Sequence, residues 1–122
     1  MGHDDEIVLA DAQFPGHSVN NFVIRADGLL IEDLLDAILP LFALDSYVDD
    51  PIAMMACVPD DDPDPAVEAG YRTVIDKSAP ETPAITFIER FAFYERTKDA
   101  FAVVMTGDTR KYANFILKKG VS

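Results

Sequence analysis

Three short, nearly continuous apolar runs place the strongest constraint on how this chain of 122 residues can fold. They occupy residues 6–10 (EIVLA), 52–58 (IAMMACV) and 101–105 (FAVVM). Each run has the length of a strand, and a strand that is apolar on both faces is covered by other layers on both sides. The runs therefore predict a central sheet enclosed by helices.

Helical patterns alternate with these strands. Residues 30–39 (LIEDLLDAIL) carry apolar side chains on one face and acids on the other with a period of 3.6, and Pro40 should bend or end this helix. The other predicted elements are helices over 65–77 and 91–100, short strands over 22–25, 85–88 and 115–117, and a loop over 12–21.

The alternation of strands and helices predicts an α/β fold. A chain of this length fits one domain, because two domains of half the size would each be too small to hold a good core. We therefore expect residues 1–122 to form a single three-layer α/β/α domain with a mostly parallel or mixed central sheet.

The charge distribution limits the classes of partner. The formal net charge is -12, and residues 1–64 hold 15 of the 22 acidic residues with Arg25 as their one base. This excess argues against nucleic acid or an anionic membrane as the main partner, since both favour a basic face. The sequence shows neither an apolar run of bilayer length nor a signal peptide, and the single Cys57 excludes an intramolecular disulfide. We expect a cytoplasmic protein.

Metal and cofactor motifs are not apparent in the sequence. The acidic loop at residues 60–64 has Pro65 and Tyr71 where an EF-hand needs glycine and glutamate, so it is interpreted as a solvated turn. His3 and His17 have no neighbouring cysteine with which to form a zinc motif. Phosphate-binding, dinucleotide-binding and nucleophilic-serine motifs are also missing, so we expect neither metal nor cofactor.

A small set of polar residues remains as candidates for a site. Asp11 follows the first strand, and ligands of open α/β sheets bind outside the carboxyl ends of strands, although an aspartate there is also common as a helix cap or turn residue. Tyr112 and Asn114 precede the last strand and offer groups suited to sugar hydroxyls, although asparagine there is also common in turns. Arg90 precedes a helix and could be an ordinary surface charge, and His17 lies in a loop of the kind that often binds ligands. Together with His3, this set suits cofactor-free acid/base chemistry on a polar small molecule.

The order of several segments resembles one family along almost the whole chain. The segments are GHDDEIVLADAQFPGHS, VIRADGLLIEDLLDAILPLFALDSY, IAMMACV, RFAFYERTKDAFAVVMTGD and KYANFILKKGV. They are similar to the fucose-mutarotase branch of the ribose-pyranase and fucose-mutarotase superfamily. The stretches RADGLL and RFAFYER resemble the fucose branch and differ from the ribose branch.

This resemblance implies an isomerase that interconverts the α and β anomers of L-fucose without a cofactor. It implies His3 as the catalytic acid/base, and the need for two proton transfers suggests Tyr112 as its partner. It also implies that Asp11, Arg90, Tyr112 and Asn114 bind the sugar. Members of the family form homo-oligomers, from dimers to decamers.

Two departures from the family pattern accompany the resemblance. Relatives usually carry a helical segment ahead of Gly2 and His3, so we expect this domain to lack an upstream N-terminal helix. Gln13 stands where some bacterial relatives carry histidine. Two alternative functions stay open: a D-ribose pyranase, which interconverts pyranose and furanose forms, and a monosaccharide-binding protein without catalysis.

Overall fold

A six-stranded sheet forms the centre of the computed structural model, which describes residues 5–41, 44, 51–56, 65–110 and 112–120. The strands are β1 (Glu6–Ala10), β2 (Val23–Ala26), β3 (Ile52–Met55), β4 (Thr86–Ile88), β5 (Ala102–Thr106) and β6 (Phe115–Lys118). Their order across the sheet is β2-β5-β1-β6-β3-β4. Strand β6 pairs antiparallel with both β1 and β3, whereas the other described pairs are parallel. The sheet is therefore mixed, with one reversed strand near its centre.

Helices cover both faces of this sheet. They are α1 (Gly16–Val19), α2 (Ile31–Ile38), α3 (Pro65–Ser78) and α4 (Arg90–Asp99), with a 3₁₀ turn over Leu39–Leu41. Helix α2 packs on α3 on one side of the sheet, and α1 packs on α4 on the other. The predicted three-layer α/β/α architecture is confirmed.

Alternating side chains of the central strands supply both layers of the core. In β1, Leu9 joins the cluster beneath α2 and α3, whereas Val8 and Ala10 join the cluster beneath α1 and α4. In β6, Phe115 and Ile116 divide between the two clusters in the same way. Full burial of one large aliphatic or aromatic side chain contributes about 1.5–3 kcal/mol, so apolar residues on both strand faces stabilise all three layers together.

The prediction of a loop over residues 12–21 is wrong in part, because residues 16–19 form α1. The helix follows Pro15, whose ring restricts φ to values compatible with a helix start. Phe14 is buried with its ring centroid 5.8 Å from that of Phe93 and 5.5 Å from that of Tyr94, both in α4. Packing of this aromatic anchor on α4 outweighs the low helix propensity of the glycine and serine.

The Arg72 side chain makes several hydrogen bonds to the connection between α3 and β4. The Arg72 guanidinium donates to the carbonyl oxygens of Pro80, Thr82 and Pro83 at 3.3, 2.7 and 2.8 Å, and Nε pairs with Asp76 at 3.0 Å. Several hydrogen bonds of fixed geometry suit the planar guanidinium and do not suit the point charge of lysine.

We expect Arg72→Lys to lower the free energy of unfolding by about 1–3 kcal/mol, because several charge-assisted hydrogen bonds are lost at once. Arg25→Lys is the matched control, since Arg25 forms an exposed pair with Asp27 and should change stability by less than about 0.5 kcal/mol. Urea unfolding of both variants measures the difference. Equal losses in the two variants would contradict the role assigned to Arg72.

Candidate functional site

A cleft opens at the edge of the sheet where β1 and β3 end and β6 begins. Because β6 runs in the opposite direction, the residues before it meet the residues that follow its two neighbours. The cleft has a volume of about 250 Å³. Its lining residues come from four parts of the chain: Asp11, Gln13, Phe14, Pro15, Met55, Arg90, Tyr94, Tyr112 and Asn114.

Asp11 and Asn114 connect two sides of this cleft. The backbone N–H of Asp11 donates to Oδ1 of Asn114 at 2.8 Å, although the two residues are 103 positions apart. The backbone N–H of Gln13 donates to Oδ1 of Asp11 at 3.0 Å, and that of Phe14 donates to the Asp11 carbonyl at 3.2 Å. The loop after β1 is therefore fixed both to itself and to the segment before β6.

The environment of Asp11 raises the pKa of its carboxyl group above the ordinary value. Burial is the largest cause, because it disfavours the ionised form. The backbone hydrogen bonds of Gln13 and Phe14 lower the pKa, the negative charge of Asp108 raises it, and the Asn114 side chain lowers it. The net result is a carboxyl group that holds its proton to higher pH than a solvated aspartate.

Helix α4 contributes a cation and a phenol to the cleft. It is capped by the Glu89 carboxylate, which accepts from the backbone N–H groups of Phe91 and Ala92 at 2.9 and 3.1 Å. Arg90 and Tyr94 are four residues apart and so share one face of the helix, and both line the cleft. The Arg90 guanidinium lies 4.9 Å from the centroid of the Phe91 ring.

The segment before β6 places alternate residues on opposite sides of the sheet. Tyr112 packs with the cluster beneath α1 and α4, and Ala113 is buried in the cluster beneath α2 and α3. Asn114, like Tyr112, lines the cleft and is only 4% exposed. Tyr112 has a φ of 57°, a left-handed conformation that costs a residue with a side chain on the order of 1 kcal/mol or more.

A partly buried ion-pair network lies beside this segment. The carboxylate of Asp108, fully buried, accepts from the backbone N–H groups of Ile31 and Arg110 at 3.2 and 3.0 Å. The Arg110 guanidinium donates to the same carboxylate at 3.0 and 2.6 Å and to Glu32 at 2.7 Å. Burial acts to raise the pKa of Asp108, but the hydrogen bonds from Arg110 and Ile31 outweigh it and hold the pKa below the ordinary value.

Four of the sequence-predicted site residues, Asp11, Arg90, Tyr112 and Asn114, line this one cleft. His3, the predicted catalytic residue, lies outside the described residues, as do Cys57 and the acidic loop at residues 60–64. His17 lies in α1, after the cleft residues Phe14 and Pro15.

The sequence analysis did not predict the apolar walls of the cleft or the partly buried ion-pair network of Asp108, Arg110 and Glu32. The spacing of Tyr94 from Arg90 on one helix was an available signal for the apolar walls. Met55 lies in the middle of the apolar run over residues 52–58, and only the structure shows that it is the last residue of β3. No comparable signal marked Asp108 and Arg110, because the partners that they contact in α2, Ile31 and Glu32 respectively, are more than 70 positions away along the chain.

Within the described ranges, no three or more histidine, cysteine, aspartate or glutamate side chains are grouped in a way that could hold a metal ion. None of the helices in the part of the chain that the structure describes has both the length and the apolar character needed to cross a membrane.

Comparison with known families covers the full chain. The model of the RbsD / FucU transport protein family matches residues 1–122. The chain belongs to this family. The family assignment agrees with the resemblance seen in the sequence and adds no residue roles of its own.

Individual members of the family differ in how similar they are to this chain. An L-fucose mutarotase of Haemophilus influenzae is 55% identical over 122 residues, which are all of this chain and 85% of that protein. The crystal structure of the Streptococcus pneumoniae fucose mutarotase in complex with L-fucose is similar with a TM-score of 0.94 and 51% identity, covering 100% of this chain and 86% of that one. RbsD of Bacillus subtilis, solved with D-ribose, is more distant, with a TM-score of 0.70 and 27% identity over 100% of this chain and 86% of that one.

We expect the carboxyl group of Asp11 to titrate above the ordinary aspartate value of about 3.9. Since the folded state then binds this proton more tightly than the unfolded chain, ionisation of Asp11 lowers stability as the pH rises through its folded-state pKa. Asp108→Asn should lower the pKa of Asp11, because a nearby negative charge is removed.

The measurement is a titration of the Asp11 carboxyl carbon by NMR. Asp76→Asn removes an exposed carboxylate and serves as the control, with no expected change at Asp11. A native Asp11 that titrates at or below the ordinary value would show that burial does not dominate at this site.

Proposed function

We propose that this protein is an L-fucose mutarotase, an isomerase that interconverts the α and β anomers of the sugar. The observation that carries the proposal is the convergence of Asp11, Arg90, Tyr112 and Asn114 on one small cleft. Close relatives with this name, and a solved relative that holds L-fucose, support the same sugar.

The cleft has the size and chemistry that a monosaccharide requires. Its volume of about 250 Å³ lies just below the range of about 300–1,000 Å³ that is typical of sites for drug-sized ligands. Asp11 supplies acceptors, Arg90 supplies donors, and Asn114 and Tyr112 can act as either. Met55, with Phe14 and Tyr94, adds an apolar wall against which the methyl group and ring C–H groups of a deoxy sugar can pack.

The reaction needs two proton transfers and no redox step. A base takes the proton of the anomeric hydroxyl while an acid protonates the ring oxygen, and the bond between C1 and the ring oxygen breaks to give the open aldehyde. Rotation about the C1–C2 bond presents the other face of the carbonyl, and the reverse transfers close the ring. We assign these transfers to His3, whose ordinary pKa of about 6.5 suits both directions, with Tyr112 as its partner.

The catalytic demand is modest, because mutarotation proceeds slowly in water without an enzyme. General acid/base catalysis typically contributes about 10²–10⁴-fold, which corresponds to roughly 3–5.5 kcal/mol of barrier. Side chains that bind the sugar hydroxyls, together with one group that titrates near neutral pH, are sufficient for this acceleration. The proposal includes no metal or cofactor.

A panel of sugars tests the proposal against its two alternatives. Exchange between anomeric protons is measured by saturation-transfer NMR on L-fucose, D-ribose and D-galactose, with a buffer blank. We expect the largest acceleration on L-fucose. Pyranose–furanose exchange of D-ribose as the dominant activity would favour the ribose pyranase, and binding of L-fucose with exchange at the buffer rate would favour a non-catalytic binding protein.

His3→Ala tests the catalytic assignment within the proposed function. We expect anomer exchange to fall to near the buffer rate while binding of L-fucose partly survives, since the sugar would still contact Asp11, Arg90 and Asn114. His17→Ala is the matched comparison, because it removes the other histidine of the chain. Unchanged exchange in His3→Ala, or loss confined to His17→Ala, would remove His3 from the role.

The proposal also includes a homo-oligomer, between a dimer and a decamer, located in the cytoplasm and formed by a single domain over residues 1–122. Neither nucleic acid nor membrane belongs among its partners, in keeping with the net charge of -12. Light scattering coupled to size exclusion tests the assembly, and a monomer at micromolar concentration would remove that part of the proposal.

A further inference from the structure

Tyr71 contacts the segment before β6 from the opposite face of the sheet. It lies in α3, is fully buried, and its hydroxyl donates to the Ala113 carbonyl at 2.5 Å. The Tyr71 ring packs edge-on against Phe115 with 5.1 Å between centroids, and the Arg110 guanidinium lies 5.8 Å from its centroid. Burial raises the pKa of Tyr71, so the hydroxyl keeps its proton and remains a donor.

The other end of the same segment is anchored by Asp108. Its carboxylate accepts from the Arg110 backbone N–H at 3.0 Å, and its own carbonyl accepts from the Ala12 N–H at 2.8 Å. Its backbone N–H donates to the Thr106 hydroxyl at 3.1 Å, which in turn donates to the Ala10 carbonyl at 2.8 Å. Asp108 thus connects the segment before β6 to the loop after β1.

Tyr112 lies between these two anchors in a left-handed conformation. A tyrosine in this conformation would relax to a lower-energy one if the flanking residues did not hold it. The bond from Tyr71 to Ala113 restrains the residue that follows, and the same restraint orients Asn114, whose Oδ1 accepts from the Asp11 N–H. Loss of the Tyr71 hydroxyl therefore affects Tyr112 and Asn114, which line the cleft, although Tyr71 itself does not line it.

We propose that Tyr71 is a positioning residue, which holds Tyr112 and Asn114 in place through its hydrogen bond to the Ala113 carbonyl. This inference rests on the proposed function for its kinetic consequences. Tyr71 is not among the residues that line the cleft, so it acts on the sugar only through the segment that it restrains.

Tyr71→Phe removes the hydroxyl and keeps the ring that packs on Phe115. Ile75→Val is the matched control, because Ile75 lies one turn further along α3, is fully buried in the same core cluster, and loses one methyl group. Both variants should lower Tm by a few degrees, about 3–6 °C. Because the two variants lose similar thermal stability, a difference between them in catalysis or amide exchange reports on positioning and not on stability.

Two measurements distinguish the variants. The first is kcat and KM for L-fucose anomer exchange, and the second is hydrogen exchange of the Asp11 backbone amide. In Tyr71→Phe we expect kcat/KM to fall about 10–100-fold, mainly through kcat, because small displacements of reacting groups are costly. We also expect the Asp11 amide to exchange at least about fivefold faster than in Ile75→Val, since its acceptor on Asn114 is less well held.

The outcomes separate the inference from the function on which it rests. A kcat/KM in Tyr71→Phe within twofold of that in Ile75→Val, with equal protection of the Asp11 amide, would overturn the positioning role. If the native protein accelerates no anomer exchange, the proposed function fails, and the Asp11 amide alone then decides whether Tyr71 orders the segment.

Discussion

The reversal of β6 is the constraint on which the site depends. In a wholly parallel sheet, the residues before this strand would lie at the opposite edge from those that follow β1 and β3. Because β6 pairs antiparallel with both neighbours, Asn114 reaches the backbone N–H of Asp11, and Met55 forms the wall beside them. The site therefore depends on a pairing between the beginning and the end of the chain, and the core of both sheet faces keeps that pairing in register.

Two carboxyl groups with different surroundings set the electrostatics around the cleft: Asp108 is fully buried, and Asp11 is partly buried. Asp108 is neutralised by Arg110 and by backbone N–H groups, so it remains ionised and acts as a structural anchor. Asp11 has no such cation in contact among the described residues and is shifted towards its protonated form by burial and by the charge of Asp108. The two roles follow from these environments: a charge matched by a guanidinium stabilises the fold, and a less well matched carboxyl group at a cleft is available to a ligand.

Much of the fold and part of the site could be predicted from the sequence. Apolar runs and 3.6-residue periods predicted most elements to within one or two residues, and Asp11, Arg90, Tyr112 and Asn114 came from strand ends and family resemblance. The helix α1 was missed because Phe14 packing on α4 stabilises it, and local propensity does not report that contact. The direction of β6, the burial of Asp108 and the reach of Tyr71 to Ala113 were also beyond prediction, since each depends on contacts between residues far apart in the chain.

The proposed function requires one monosaccharide to occupy the cleft and to contact Asp11, Arg90, Tyr112 and Asn114 together. A crystal structure of the protein with L-fucose tests it most directly. We expect the sugar ring to lie between the loop after β1 and the start of α4, with hydroxyl groups within hydrogen-bond distance of these four side chains. A sugar bound elsewhere on the molecule, or bound in the cleft without contact to Asp11 and Asn114, would contradict it.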